Sequence, residues 1–373
     1  MSCPRIEVDL SKIRHNTRMV ARGLNRRGIA VTGVTKAVCG HPAIARAMLD
    51  GGAEGLADAR LSNVERLRKA GVTCPITLIR TPMLSQADRV VHFCDASYNT
   101  EIAVIAALAA AAIRKGTVHG IILMVEMGDQ REGVLPENLG TCAQQVVKMP
   151  GVALKGIGAN FACFSGLAPN GSQMLALSNI ATDIEGQCGP VFQTVSGGNS
   201  ANLPWALSAQ STGRIDDLRL GEAILLGVDP LSGDRIGEMH TDAFTLVAEV
   251  IETGKKPAAT PVAFVNPTLA KLHIVSRADE IKRLILAIGR QDTDISGLSM
   301  PDGSILMGAT SDHLVIETNH PTLRLGSEMR FQMNYTALMH AMAAPDIATK
   351  LLDDRSSRSS PPPQGKAEHL TLV

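Results

Sequence analysis

The sequence predicts an α/β protein: a (β/α)₈ barrel followed by a mostly antiparallel β domain. Residues 30–226 alternate short apolar runs with helical patterns, about eight strand–helix units in roughly 200 residues, the size of such a barrel. After Asp234 the texture changes to short runs carrying Val and Ile, divided by Gly, Pro and Asp turns. The first strand–turn–helix lacks GxGxxG, which places an open doubly wound sheet second.

The units follow in order. Residues 30–35 read as a strand and 42–50 as a helix, ended by Gly51-Gly52. Residues 55–57 form a short strand, and 62–70 a helix. Ser62 and Glu65 make a capping box there, and Gly71 closes the helix. The strand at 76–79 precedes a helix at 84–91, and the strand at 96–98 precedes an Ala-rich helix at 102–113. That run is too short to span a bilayer. Strands at 120–125, 154–159 and 191–195 alternate with helices at 137–148 and 173–186 and a helical turn at 201–208. Residues 218–220 lead into a helix at 222–226. In the second domain the expected strands are 244–252, 261–265, 284–288, 304–307, 313–317 and 329–333. The domains expected are a barrel over 10–234 and a β domain over 235–350 that includes an N-terminal strand at 4–9. The Ser- and Pro-rich tail, 354–373, is expected to be disordered.

Composition narrows the function. Lys plus Arg (36) equals Asp plus Glu (36), so no overall basic field points to nucleic acid. The seven cysteines are odd in number and scattered, with no CxxC, which argues against a disulfide framework or a zinc site. MSCPRIEVDL has no basic stretch followed by an apolar core. A cytoplasmic protein with reduced thiols is expected, with no membrane, nucleic-acid or metal partner.

Lys36, in GVTKAVCG, falls at the C-terminal end of the first barrel strand, the face where barrel active sites form. An amine partly withdrawn from water condenses with an aldehyde. The alternative is an ordinary lysine at a strand end. Two later turns change that weighing. Ser196-Gly197-Gly198-Asn199-Ser200 follows one strand, and Gly221 in LRLGE follows the next. Both offer backbone amides to a phosphate, where barrels often bind one.

Further segments join these: EVDLSKIRHN near the start, GLADARLSN at 55–63, MGDQREGV at 127–134, GANFACFSGLAPN at 158–170 and GATSDHLVIE at 308–317. With VTKAVCG, SGGNSANL and LRLGEAILLG they resemble the alanine/ornithine racemase group of fold-type III pyridoxal phosphate enzymes, over residues 4–350. The likeness is nearer to ornithine-racemase-like members than to alanine racemase proper.

The resemblance implies pyridoxal 5′-phosphate held by Lys36 as a Schiff base, with Lys36 also acting as one proton-transfer base. It implies Ser200 and the amides of Gly221 and Glu222 at the phosphate, and Arg219 at the pyridine nitrogen. Asn160 and Asn199 line the ring or its O3′, Arg131 meets the substrate carboxylate and Cys163 is a wall residue. The alternatives are an ion pair of Arg219 with Asp216 or Asp217, a salt bridge of Arg131 with Glu132 or Glu126, and inert packing of Cys163.

A racemase needs a base on each face of Cα. The family's second base is a tyrosine in a GYADGY motif. Here the equivalent stretch, residues 288–294, has none. Asp292, Asp312 and His313 are the candidates in its place, and turn capping is the alternative for the two aspartates. Tyr335 reads as packing. The acidic groups also suit a cationic substrate such as ornithine or lysine. The expected assembly is a homodimer in which the partner's β domain completes each site. A non-racemising pyridoxal phosphate binder, or a decarboxylase or aldolase on this fold, is the alternative function.

Overall fold

The computed structural model describes residues 3–254 and 282–353. The chain opens with β1 (Arg5–Asp9) and α1 (Leu10–Asn25). Asp9 caps α1 by accepting from the Ser11 and Lys12 amides at 2.9 and 3.1 Å.

Eight parallel strands then close a barrel: β2 (Ala30–Val34), β3 (Gly55–Asp58), β4 (Ile76–Leu78), β5 (Ala96–Asn99), β6 (His119–Val125), β7 (Val152–Ala159), β8 (Thr194–Ser196) and β9 (Asp217–Leu220). Thr32 stands opposite Gly55 on one side and Arg219 on the other, which closes β2 on β9. The connecting helices are α2 (Pro42–Gly51), α3 (Leu61–Lys69), α4 (Ala87–Phe93), α5 (Ile102–Lys115), α6 (Pro136–Val147), α7 (Gly171–Cys188) and the short α8 (Leu203–Ala206). After β9 comes α9 (Glu222–Leu226). The closed parallel barrel replaces the open-sheet alternative. Its core is aliphatic, with Ile44, Met48, Leu56, Leu67, Ile76 and Ile105 fully buried.

The second sheet runs β12–β15–β10–β11–β14–β13, with β1 paired to β10 and β16. Its strands are β10 (Phe244–Gly254), β11 (Lys282–Leu286), β12 (Leu298–Ser299), β13 (Ser304–Ala309), β14 (Leu314–Thr318), β15 (Glu328–Met333) and β16 (Ala348–Leu352). All pairings are antiparallel except β1 with β16. Between β15 and β16 lies α10 (Tyr335–Ala343), which packs against the turn that begins at Lys36. Its entry is fixed by Asn334, which accepts from the Ala337 amide at 2.9 Å. Gly297 lies against this cap, where a Cβ would stand 2.1 Å from Asn334 Oδ1.

Several local expectations need correction. No capping box opens α3: the helix starts at Leu61 with Arg60 at its cap, so Ser62 lies inside the first turn. The Asp58 carboxylate takes over by accepting from the Arg60 amide at 2.8 Å and Asn63 Nδ2 at 3.0 Å. A capping box does occur at α7, between Asn170 and Gln173. The segment expected as a helix from residue 84 begins with a 3₁₀ turn, Leu84–Gln86, and the strand expected at 191–195 begins only at Thr194. The expected strand at 261–265 and the tail at 354–373 lie outside the described residues. Among the described residues no helix is long and apolar enough to cross a membrane.

Candidate active site

A cavity of about 830 Å³ opens at the C-terminal ends of the barrel strands. It brings together every residue expected to hold cofactor or substrate: Lys36, Arg131, Asn160, Cys163, Asn199, Ser200, Arg219, Gly221 and Glu222.

Lys36 begins a 3₁₀ turn directly after β2 and is half-buried. The residue before it is anchored: Thr35 Oγ1 donates to Asp58 Oδ2 at 2.7 Å, and Asp58 is fully buried. Burial pushes the Asp58 carboxyl up, although its hydrogen bonds pull it down. The lysine therefore leaves the barrel from a fixed point.

Arg219 fills the barrel's centre and is 4 % exposed. Nη1 donates to Ser196 Oγ at 2.5 Å and Tyr98 OH at 3.0 Å, and Nη2 donates to the Ala159 carbonyl at 2.7 Å. The guanidinium carbon lies 4.6 Å from the Tyr98 ring centroid. The alternative of a direct ion pair with Asp216 or Asp217 is not what forms. A guanidinium carries five donors, so Nε–H and one Nη2–H stay uncommitted among the described residues.

The two Gly-bearing turns meet. The Ala223 amide donates to Ser200 Oγ at 3.2 Å, which joins the start of α9 to the turn after β8. Gly198 has φ +105°, and a Cβ there would stand 2.9 Å from Phe161 Cδ2. At Gly221 a Cβ would press on Val34, a wall of the cavity, at 3.3 Å. Asn199 ties this turn to the loop after β7, with Nδ2 donating to the Phe161 carbonyl at 2.8 Å and to Cys163 Sγ at 3.1 Å.

Arg131 takes its alternative partner: Nη2 donates to Glu132 Oε1 at 2.6 Å. With the amide oxygen of Asn160 turned toward it, Arg131 Nη1 also donates there at 3.1 Å. Glu126 instead accepts from the amides of Gly128 and Gln130 at 2.6 and 3.1 Å and so shapes the arginine's loop.

The proposed second bases are not in this cavity. Asp292, Asp312 and His313 lie on two adjoining turns, since the Arg290 and Gln291 amides donate to the carbonyls of Thr310 and Ser311. Asp292 Oδ2 caps its own turn through the Gly289 amide at 2.8 Å, and His313 Nδ1 is 3.2 Å from Asp312 Oδ1. Thr310 chiefly, with His313 and Ser311, holds the Asp312 carboxyl below its ordinary value.

Tyr335, read from sequence as packing, lines the cavity beside Lys36 and Glu222. Burial pushes its phenol well above the ordinary range, so it keeps its proton. Burial also pushes the Glu222 carboxyl up to about 7, against the pull of Lys36. The one available signal for Tyr335 was its rarity, as one of two tyrosines in the chain.

The residues fit a phosphorylated pyridine aldehyde. An amine faces an arginine with free donors, and beside them a turn pair is kept clear of side chains.

Comparison with known proteins agrees with this geometry. Residues 8–230 match the family model described as alanine racemase, N-terminal domain. An ornithine racemase of Acetoanaerobium sticklandii is 30 % identical over 354 residues, 94 % of this chain and 99 % of that protein. A lysine racemase of Thermotoga maritima is 33 % identical over 352 residues, 93 % of this chain and 98 % of that protein. The crystal structure of alanine racemase from Streptomyces lavendulae superposes with a TM-score of 0.73 at 18 % identity, over 94 % of this chain and 98 % of that one, and shares the fold.

Proposed function

The chain belongs to the alanine racemase family and is a pyridoxal phosphate-dependent amino-acid racemase, and on that premise we propose that its substrate is a cationic amino acid such as ornithine or lysine. The observation that carries the reading is the convergence of Lys36, Arg131, Ser200, Arg219 and Glu222 on one cavity.

Lys36 would hold the cofactor's aldehyde carbon, with Ser200 and the amides of Gly221 and Glu222 at its phosphate and Arg219 at its ring nitrogen. Pyridoxal phosphate, when bound, supplies an electron-withdrawing ring that makes the substrate Cα–H acidic. Asn160 and Asn199 would border the ring, and Cys163 is a wall. Arg131, already oriented by Glu132 and Asn160, would receive the substrate carboxylate. The Lys36 amine would remove or return the proton on one face of Cα. Glu222, the cavity carboxyl not already paired with Arg131, would meet the distal ammonium group.

For the opposite face we assign Asp292, Asp312 and His313 of a second copy, which a homodimer would bring to this mouth. Of the three, His313 has the side-chain type suited to proton exchange near neutral pH. The seven free cysteines support a reducing compartment such as the cytoplasm.

The test is incubation of the holoenzyme with L-ornithine, L-lysine, L-alanine and L-serine in deuterium oxide, with optical rotation and Cα labelling followed together. Racemisation and labelling of ornithine or lysine are expected. Reaction of alanine and serine alone would refute the cationic assignment.

A further inference from the structure

Directly beneath Arg219 lies a buried carboxylate that the chemistry above leaves unused. Asp217 and Arg219 are two apart on β9, so both side chains point into the barrel. Asp217 is 8 % exposed, and its hydrogen-bond donors are hydroxyls. Thr32 Oγ1 donates to Oδ1 at 2.6 Å, and Ser196 Oγ donates to Oδ2 at 2.5 Å. The same Ser196 oxygen accepts from Arg219 Nη1 at 2.5 Å. The proton count permits one direction only. The serine has a single hydrogen, committed to the carboxylate, so its oxygen is free to accept from the guanidinium. A hydroxyl polarised in this way is a stronger acceptor.

The place of the pair in the fold matters as well. A second cavity, of about 950 Å³, enters the barrel from the opposite end and is bounded by Asp217 and Arg219. Arg219 alone of the two also lines the upper cavity. Arg219 is thus held between two spaces. Tyr98 OH and the Ala159 carbonyl also hold the guanidinium, and Ser196 is the contact through which a carboxylate acts on it. A direct carboxylate contact would hold it too, but the chain inserts a serine, so carboxylate and guanidinium act on each other through one hydroxyl.

We propose that Asp217 is a positioning residue for Arg219: its carboxylate, acting through the Ser196 hydroxyl, fixes the guanidinium at the orientation the cofactor ring meets. This rests on the racemase reading. The competing role for Asp217 is purely structural, a tie between β2 and β9 through Thr32.

The test compares holoenzymes of wild type, Asp217→Asn, Ser196→Ala, their double variant and Thr32→Val. The readouts are the visible circular dichroism of bound pyridoxal phosphate and the separate values of kcat and KM. Asp217→Asn is expected to change the dichroic band and lower kcat roughly tenfold or more, the scale of one charge-assisted hydrogen bond, with KM little changed. Ser196→Ala should do the same, and the double variant should be no worse than the worse single one, since both break one relay. Thr32→Val should keep the wild-type band. Wild-type bands in both Asp217→Asn and Ser196→Ala, additive losses in the double variant, or an equal change in Thr32→Val would each overturn the proposal. Wild type that gains no visible band at all overturns the cofactor reading, and this proposal with it.

Discussion

Tyr335 and Lys36 line the same cavity, although one sits on a helix within the antiparallel domain and the other follows the first barrel strand. The helix α10 packs against the turn that begins at Lys36, so the second domain helps wall the candidate cavity and is not an appendage to it.

We predict that the Tyr335 hydroxyl, which burial keeps protonated, donates a hydrogen bond to a ligand in the cavity. Tyr335→Phe should weaken cofactor retention about tenfold, the loss of one hydrogen bond, and leave the melting temperature within a few degrees of wild type. Fluorescence titration of apoenzyme with pyridoxal phosphate measures the first and calorimetry the second. A large fall in melting temperature with unchanged affinity would return Tyr335 to a packing role.

Lys36→Ala should abolish the borohydride-stable attachment of pyridoxal phosphate and lower racemisation by roughly a thousandfold or more. Mass spectrometry of the peptide containing residue 36 reads this directly. Attachment as firm in the variant as in wild type would place the covalent site elsewhere.

The proposed contact of Glu222 with the substrate's distal ammonium carries a pH signature. With its carboxyl pushed up to about 7, Glu222 is neutral below that value and anionic above it. The KM for L-ornithine should therefore fall as pH rises through about 7, while that for L-alanine should not. Glu222→Gln should remove the difference. The raised value also has a stability consequence. An unfolded carboxyl ionises near its model value of 4.5, so Glu222 subtracts stability progressively between there and about 7. Chemical denaturation at pH 8 should find Glu222→Gln the more stable protein.

The N-terminal strand is secured by charge. Glu7 is 6 % exposed and accepts from Arg5 Nε and Lys350 Nζ, each at 3.0 Å, and also from Arg330. These three side chains overcome the cost of burial and hold Glu7 at about 2. A lowered carboxyl contributes stability that is complete above its unfolded value and is lost as pH falls from 4.5 toward 2. Glu7→Gln should destabilise the chain by about 3 kcal/mol at pH 7 and flatten the acid limb of its stability curve. Equal acid sensitivity in wild type and variant would show that other carboxyls dominate.

Much of the candidate site was legible because its signals are local. Lys36 stands out by the apolar residues leading to a strand end, and Ser200 and Gly221 by the small residues between strand and helix. At the start of α3 and around Arg219, the partner comes from another strand and not from the neighbouring residues. The capping box at Ser62 lost to Asp58, which belongs to the preceding strand. The alternative ion pair of Arg219 with Asp216 or Asp217 gives way to Ser196, Tyr98 and Ala159 on three other strands.

By itself the sequence determined the succession of strands and helices, the barrel they build and the amine and glycine-bearing turns at its mouth, because periodicity and turn chemistry act between residues close along the chain. Tertiary packing decided the rest. It set Arg219 over Asp217 through a shared serine and turned Tyr335 toward Lys36. It also left Asp292, Asp312 and His313 outside their own cavity. Such contacts join residues far apart in the chain, and only packing in three dimensions selects them.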